Sequence, residues 1–113
     1  MKPDATGTSS VVVIVGYRPK PEKVKELHQL MREHYSVLKK EGLVTERVPV
    51  LMEAEDGTII EVFEWKSNDS IKEAHSNPEI GKLWKRYDEC CEYVPLGGLK
   101  EATDIFANFK PFE

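Results

Sequence analysis

Two histidines stand at positions where an imidazole could transfer a proton. His34 and His75 each lie in a segment whose apolar residues recur every three or four positions, the spacing of one helix face. We expect both faces to lie against a sheet, where a buried imidazole can serve as a proton acceptor near neutral pH. The alternative for each is a packed core histidine hydrogen-bonded to the backbone. His28 is on another side of the helix from His34, so the two cannot chelate a metal as an i, i+4 pair would.

Aromatic side chains could form the wall of a site beside these histidines. Trp65, Trp84 and Tyr87 are large rings whose N–H or O–H groups can orient a flat aromatic ligand. We predict that Tyr17 and Phe63 complete this substrate-binding wall. The alternative is that the aromatic residues at helical spacing are ordinary core.

Two carboxylates lie within an apolar strand. Glu61 and Glu64 alternate with Val62, Phe63 and other apolar side chains. A buried carboxylate needs a partner, and Arg47 or Arg86 could supply one. The alternative for both glutamates is an ion pair at the solvent or at a subunit interface.

Several kinds of chemistry lack their sequence signals. The chain has no glycine-rich phosphate loop, no Ser-His-Asp signature and no spaced Cys/His zinc set, so we expect no cofactor and no metal. Cys90 and Cys91 are adjacent, which strains a disulfide between them. We interpret them as two packed thiols, with a redox or ligand role as the alternative.

Length and charge limit the class of protein. The 113 residues fit one domain, which we place at 11–113 after a polar, disordered leader at 1–10. The leader lacks the apolar core of a signal peptide, and no apolar run is long enough to span a membrane, so we expect a cytoplasmic location. The chain has 16 basic and 20 acidic residues, a net charge of −4, and no basic stripe, so we expect no nucleic-acid partner.

The apolar pattern predicts the elements that must position these side chains. The β-branched run at 11–17 predicts a central strand, and a helix follows from Pro21 to Gly42. Strands at 46–54 and 58–65 flank an Asp-Gly turn, and a two-residue loop there would place Met52 opposite Glu61.

Two helices and a strand are expected to complete the chain. Ser67 caps a short helix, and Pro78 begins a longer one that ends before Pro95. The segment 105–112 predicts a final strand. The order predicts an α+β fold, ferredoxin-like β-α-β-β-α-β, with one antiparallel four-stranded sheet.

The strands carry apolar residues on both faces, whereas the helices can cover only one. A bare apolar face is uncommon on a monomer, so we expect a homodimer that joins two chains through this sheet face. The alternative is a monomer whose C-terminal segment folds over the sheet.

Four stretches carry a resemblance to a known family. They are YRPKPEK at 17–23, EVFEWKS at 61–67, AHSNP at 74–78 and LW at 83–84. Together they resemble the antibiotic-biosynthesis-monooxygenase-like family of dimeric α/β barrels, over about 11–109. The family includes cofactor-free quinol oxygenases, haem-degrading enzymes and members without a known reaction. Haem-degrading relatives carry an asparagine in the first strand, where this chain has valine and isoleucine.

The resemblance and the histidines lead to three hypotheses about function. The first is a cofactor-independent monooxygenase that acts on a small phenolic or quinol substrate, with His75 and His34 as catalytic residues. The second is a non-catalytic dimeric module that binds a small aromatic or apolar ligand. The third is a haem-binding protein with His75 as the iron ligand.

Overall fold

The computed structural model describes residues 9–113. Its strands are β1 (Val11–Pro19), β2 (Val50–Glu53), β3 (Ile59–Trp65), β4 (Cys91–Val94) and β5 (Lys110–Pro111). Its helices are α1 (Val24–Lys40), α2 (Asn68–Ser76) and α3 (Pro78–Cys90), and two short 3₁₀ helices span Leu96–Gly98 and Lys100–Thr103. Most of the predicted leader, 1–8, lies outside the described residues.

The strands form one antiparallel sheet in the order β4-β1-β3-β2-β5. The predicted fold class, a ferredoxin-like four-stranded sheet in a dimeric α/β barrel, is therefore wrong, because the sheet has five strands and carries three helices. The difference begins at Cys91, where α3 ends and the chain becomes extended. Residues 91–94 pair with the free edge of β1, whose backbone groups need partners there.

The C-terminal segment does not form the predicted strand at 105–112. Only Lys110 and Pro111 pair with β2, and Ile105 and Phe106 are almost fully exposed. Leu99 instead packs on Ile60, and Ala102 and Phe109 pack against this contact. The C-terminal segment thus covers part of the sheet face that lies away from the helices.

The predicted β2–β3 hairpin forms, but β2 begins at Val50 instead of residue 46 and the register differs by one residue. Glu61 pairs with Leu51, where the sequence predicted Met52. The reason is the loop, which has three residues instead of two: Ala54 N–H donates to Thr58 O at 2.8 Å, and Gly57 takes a left-handed φ of 91°. The shift moves every β2 side chain to the opposite face of the sheet from the predicted one.

The local signals at the start of α2 and α3 and at the end of α1 are confirmed, whereas α1 begins at Val24 and not at the predicted Pro21. Ser67 Oγ accepts a hydrogen bond from Ser70 N–H, and Asn77 Oδ1 accepts from the first N–H groups of α3. Pro78 is the first residue of α3, and Gly42 after α1 has a φ of 75°. These caps fix where α2 and α3 begin, and so they fix which side chains face the sheet.

The helices cover one face of the sheet and leave much of the other open. Leu27 of α1 and Leu83 of α3 pack with Tyr17 and Ile59 in the main core. On the opposite face, Val12, Ile14 and Val50 remain about half exposed. None of the helices within 9–113 is long and apolar enough to cross a membrane.

Candidate functional site

A cavity of about 300 Å³ lies between the sheet and the helices. Its volume is at the lower end of the range for small-molecule sites, roughly 300–1,000 Å³. All seven side chains predicted for the site line it: Tyr17, His34, Phe63, Trp65, His75, Trp84 and Tyr87. The other lining residues are Val13, Val15 and Tyr93. Eight of these ten side chains carry a ring, so the wall suits a flat ligand.

Strand pairing places the sheet side of this wall. Val13 lies opposite Phe63 in the β1–β3 ladder, and Val15 lies opposite Glu61. Directly opposed residues share a face, and side chains two apart along a strand do so as well. Tyr17 therefore joins the same face one step further along β1, where it lies opposite Tyr93 of β4.

His34 lies at the floor of the cavity and forms a buried pair with Glu61, which does not itself line the cavity. His34 is 3% exposed and Glu61 is 1% exposed. His34 Nδ1 lies 2.9 Å from Glu61 Oε1 and 3.0 Å from Oε2. Tyr17 O–H donates to Glu61 Oε1 at 2.8 Å. Two elements far apart in the chain, α1 and β3, thus meet in one hydrogen-bonded group, with β1 as the third member.

The carboxylate determines which nitrogen of His34 carries the proton. An ionised carboxylate only accepts hydrogen bonds, so we assign the proton to Nδ1. Nε2 then keeps its lone pair, and the hydrogen bonds of His34 within residues 9–113 use Nδ1 alone. The ring is held edge-on against Phe63 and Tyr87, each at 5.4 Å between centroids. His34 is therefore an oriented acceptor that lines the cavity.

Tyr17 and Tyr87 are held as neutral hydroxyls. Burial, and then the nearby charge of Glu61, raises the pKa of Tyr17 well above its usual value. The pKa of Tyr87 is raised for the same two reasons, and its hydroxyl donates to Leu30 O at 3.1 Å. Because both hydroxyls stay neutral and keep their protons, neither serves as a base for a ligand.

His75 occupies a different environment from the one expected. The prediction that its helix face lies buried against the sheet is wrong, because α2 buries only Ser70 and Ala74 and His75 is exposed. Its Nδ1 lies 2.8 Å from Ile71 O, and its ring centroid is 5.0 Å from that of Trp84. His75 therefore lines the cavity at its solvent-exposed rim.

Of the two arginines predicted as partners, Arg47 pairs with Glu64, as one of the alternatives expected, and Arg86 pairs with Glu33. Glu61 is paired with His34 instead of Arg47 or Arg86, so the expectation that Glu61 forms a surface ion pair is wrong. Arg47 pairs with Glu64 at 3.1 Å on the opposite face of the sheet. Hydrogen bonds from Thr45, and then from Arg47, lower the pKa of Glu64. Side chains alternate between the two faces of a strand, so Glu61 and Glu64 lie on opposite faces. This alternation was the sequence signal for their different partners.

The cysteines are not activated. Both thiols are free and buried. Burial, and then the neighbouring Cys90, raises the pKa of Cys91 to about 12, so its reactive thiolate form is scarce near neutral pH. Within residues 9–113, no group of three His, Cys, Asp or Glu side chains is placed to hold a metal ion.

No family model, no curated protein and no solved structure matches this chain. The interpretation of the cavity therefore depends on its own geometry and on the sequence motifs.

Proposed function

We propose that this chain is a cofactor-independent monooxygenase that acts on a small phenolic or quinol substrate in the cavity. One observation carries the proposal: a buried histidine, held by a carboxylate, lines a pocket walled by aromatic rings. The sequence motifs shared with the antibiotic-biosynthesis-monooxygenase-like family point the same way, and we propose membership of that family on those motifs.

The wall favours a neutral, flat ligand. None of the ten lining side chains is a lysine, arginine, aspartate or glutamate. A ligand with a permanent charge would lose its hydration without gaining a counter-ion. A hydroxylated ring instead stacks on the aromatic wall and presents its O–H group to Nε2 of His34. A haem is much larger than such a ring, so the small cavity favours the phenolic ligand.

The first chemical step is removal of the substrate hydroxyl proton by His34. Nε2 accepts this proton, and Glu61 stabilises the imidazolium through the Nδ1–H hydrogen bond. The substrate anion is electron-rich enough to reduce dioxygen without a cofactor. The protein contributes the base, the orientation of the ring and the exclusion of water.

The reaction balances without an added reductant. A quinol anion transfers electrons to dioxygen and forms a C–O bond at the neighbouring ring carbon, and the resulting peroxide takes the proton held by His34 to become a hydroperoxide. His34 then removes the proton on that carbon as the O–O bond breaks, which leaves one oxygen on the ring and releases hydroxide. The hydroxide takes this second proton from His34 and departs as water. One quinol and one dioxygen thus give one hydroxyquinone and one water.

Oxygen uptake with a panel of hydroquinones and anthrones tests this function. We expect a His34→Gln variant to lose at least ~100-fold in rate, because a positioned base contributes about 10²–10⁴. His28→Gln is the matched control: His28 lies on the same helix but contacts Phe112, outside the cavity. Wild-type oxygen uptake no faster than that of His34→Gln would contradict the proposal.

The alternative is a non-catalytic module that binds a small apolar ligand. The eight rings of the wall would hold such a ligand without any proton transfer. In that case the double variant His34→Ala, His75→Ala binds the ligand as tightly as the wild type and no oxygen is consumed.

We also propose that two chains associate through the open sheet face. Val12, Ile14 and Val50 form an apolar surface there that the C-terminal segment does not cover. Pairing this face with its copy would remove it from water symmetrically. Light scattering at micromolar concentration tests the proposal, and the mass of a single chain would contradict it.

A further inference from the structure

We propose that His34 and His75 act together to select ligands that carry two hydroxyl groups, one toward the floor of the cavity and one at its rim. This inference rests on the proposed function, because it assigns the substrate class of the same cavity. In it His75 is a specificity-determining residue, and the proton acceptor is His34.

The two histidines are locked in the same tautomer by different partners. Nδ1 of His34 faces the carboxylate of Glu61, and Nδ1 of His75 faces the carbonyl oxygen of Ile71 at 2.8 Å. A carboxylate and a carbonyl both only accept hydrogen bonds, so each Nδ1 carries the proton. In each neutral ring Nε2 is then an acceptor, and the hydrogen bonds of both imidazoles within residues 9–113 use Nδ1 alone.

The acceptors lie at different depths. His34 is buried, and His75 is exposed beside the ring of Trp84. The O–H protons of Tyr17 and Tyr87 are donated to Glu61 and to the backbone. The two imidazole Nε2 atoms are the basic acceptors of the wall, and they suit two O–H donors separated by a ring system.

A hydroxyl fits this set of groups better than a carbonyl does. The other polar groups of the wall are the indole N–H groups of Trp65 and Trp84 and the hydroxyl of Tyr93. A ligand hydroxyl can donate to an imidazole and accept from an indole, whereas a ligand carbonyl can only accept. A dicarbonyl would leave the Nε2 atom of His34 without water and without a donor, which is costly for a buried polar atom.

This polarity also separates substrate from product. A quinol enters with two hydroxyls, and the hydroxyquinone that leaves has one hydroxyl and two carbonyls. Oxidation therefore removes a hydrogen bond to one of the histidines. The weaker fit of the product would favour its release.

Calorimetric titration under argon tests the inference without turnover. The ligands are 1,4-, 1,5- and 2,6-dihydroxynaphthalene, with 1-naphthol and 1,4-naphthoquinone as the comparisons. We expect at least one diol to bind about 5- to 10-fold tighter than naphthol or the quinone, which is the effect of one added hydrogen bond. In His75→Phe, which keeps an aromatic ring, we expect the diol to fall to the affinity of naphthol and naphthol itself to be unchanged. His28→Phe is the control on α1.

Equal affinity of naphthol and all three diols in the wild type would overturn the inference. So would a diol preference that persists in His75→Phe. The oxygen-uptake measurement is independent of this outcome. Oxygen uptake without a diol preference would support the oxygenase proposal and contradict the role of His75. A diol preference without oxygen uptake would support the role of His75 and contradict the oxygenase proposal.

Discussion

Replacing Glu61 by glutamine should change both the stability of the protein and the tautomer of His34. Glu61 accepts hydrogen bonds from His34 Nδ1 and from Tyr17 O–H, at 2.8 to 3.0 Å. Glutamine has the same shape but only one oxygen. If that oxygen accepts from Tyr17, the amide NH₂ group meets Nδ1 of His34, and two donors face each other. The imidazole can resolve this conflict by moving its proton from Nδ1 to Nε2.

The size of the effect follows from the bonds that change. A hydrogen bond to a charged group contributes about 1.5–3 kcal/mol. Removing a carboxylate that is 1% exposed also removes part of its desolvation cost, and this offsets about 1 kcal/mol of the loss. We expect the free energy of unfolding to fall by about 1–2 kcal/mol. For a chain of this length that corresponds to a decrease in Tm of roughly 4–8 °C.

Urea unfolding and the ¹⁵N NMR shifts of the histidine rings measure the two effects separately. The wild type should show the proton of His34 on Nδ1, and Glu61→Gln should show it on Nε2. Proton acceptance by His34 should then be lost, and oxygen uptake should fall as it does in His34→Gln. Glu92→Gln, an exposed glutamate on β4, is the matched control and should change neither the unfolding midpoint nor the tautomer.

Two results would refute this reasoning. A Glu61→Gln variant as stable as the wild type would mean that the carboxylate gains nothing from its two donors. A His34 proton that stays on Nδ1 in the variant would mean that Glu61 does not determine the tautomer.

The remaining predictions concern pH, packing and association. Burial raises the pKa of Cys91 and of Tyr93 to about 12 in the folded chain, from 9.0 and 10.0. The unfolded chain loses these protons at lower pH than the folded chain does, so the free energy of unfolding should fall as the pH rises from about 9 to 12. Urea unfolding at pH 8 and pH 11 measures this change, and equal stability at the two pH values would contradict it. Gly16→Ala should cost about 1–3 kcal/mol in the same assay, because its Cβ would lie 2.6 Å from Val94 O; an unchanged midpoint would contradict that clash. Ile14→Asp should halve the mass seen by light scattering and leave the circular dichroism spectrum intact, and a dimer that survives it would place the interface elsewhere.

Much of the site was predictable because it depends on local patterns. The apolar run of β1, the hairpin and the caps at Ser67 and Asn77 each follow from residues close in sequence. Once these elements form, the alternation of strands and the period of helices place the seven predicted side chains on the cavity wall.

The misplaced elements depend on competition between local and distant partners. Helical spacing continues past Cys91 to Val94, yet this segment is a strand because the edge of β1 offers it backbone hydrogen bonds. The spacing of apolar residues along the chain does not show whether the edge of a distant strand is available for pairing. The three-residue turn ending at Gly57 is a similar case, since Asp-Gly suits a two-residue loop equally well.

The pairing of His34 with Glu61 was missed because it joins residues 27 positions apart on different elements. Sequence reasoning considered arginines as partners, since opposite charges are the simplest compensation for a buried carboxylate. The structure instead uses a histidine and a tyrosine hydroxyl. Chain topology, which brings α1 across β3, decides this and is not contained in the local pattern.

The absence of any linker between α3 and β4 ties two walls of the cavity together. Cys90 ends the helix and Cys91 begins the strand, and the carbonyl of Cys90 accepts from Lys20 N–H at 2.8 Å. A single inserted residue at this junction would turn the β4 side chains over and carry Tyr93 out of the pocket. Insertions in the exposed stretch 104–107 would carry no such penalty, so tolerance to length changes should differ sharply between these two neighbouring parts of the chain.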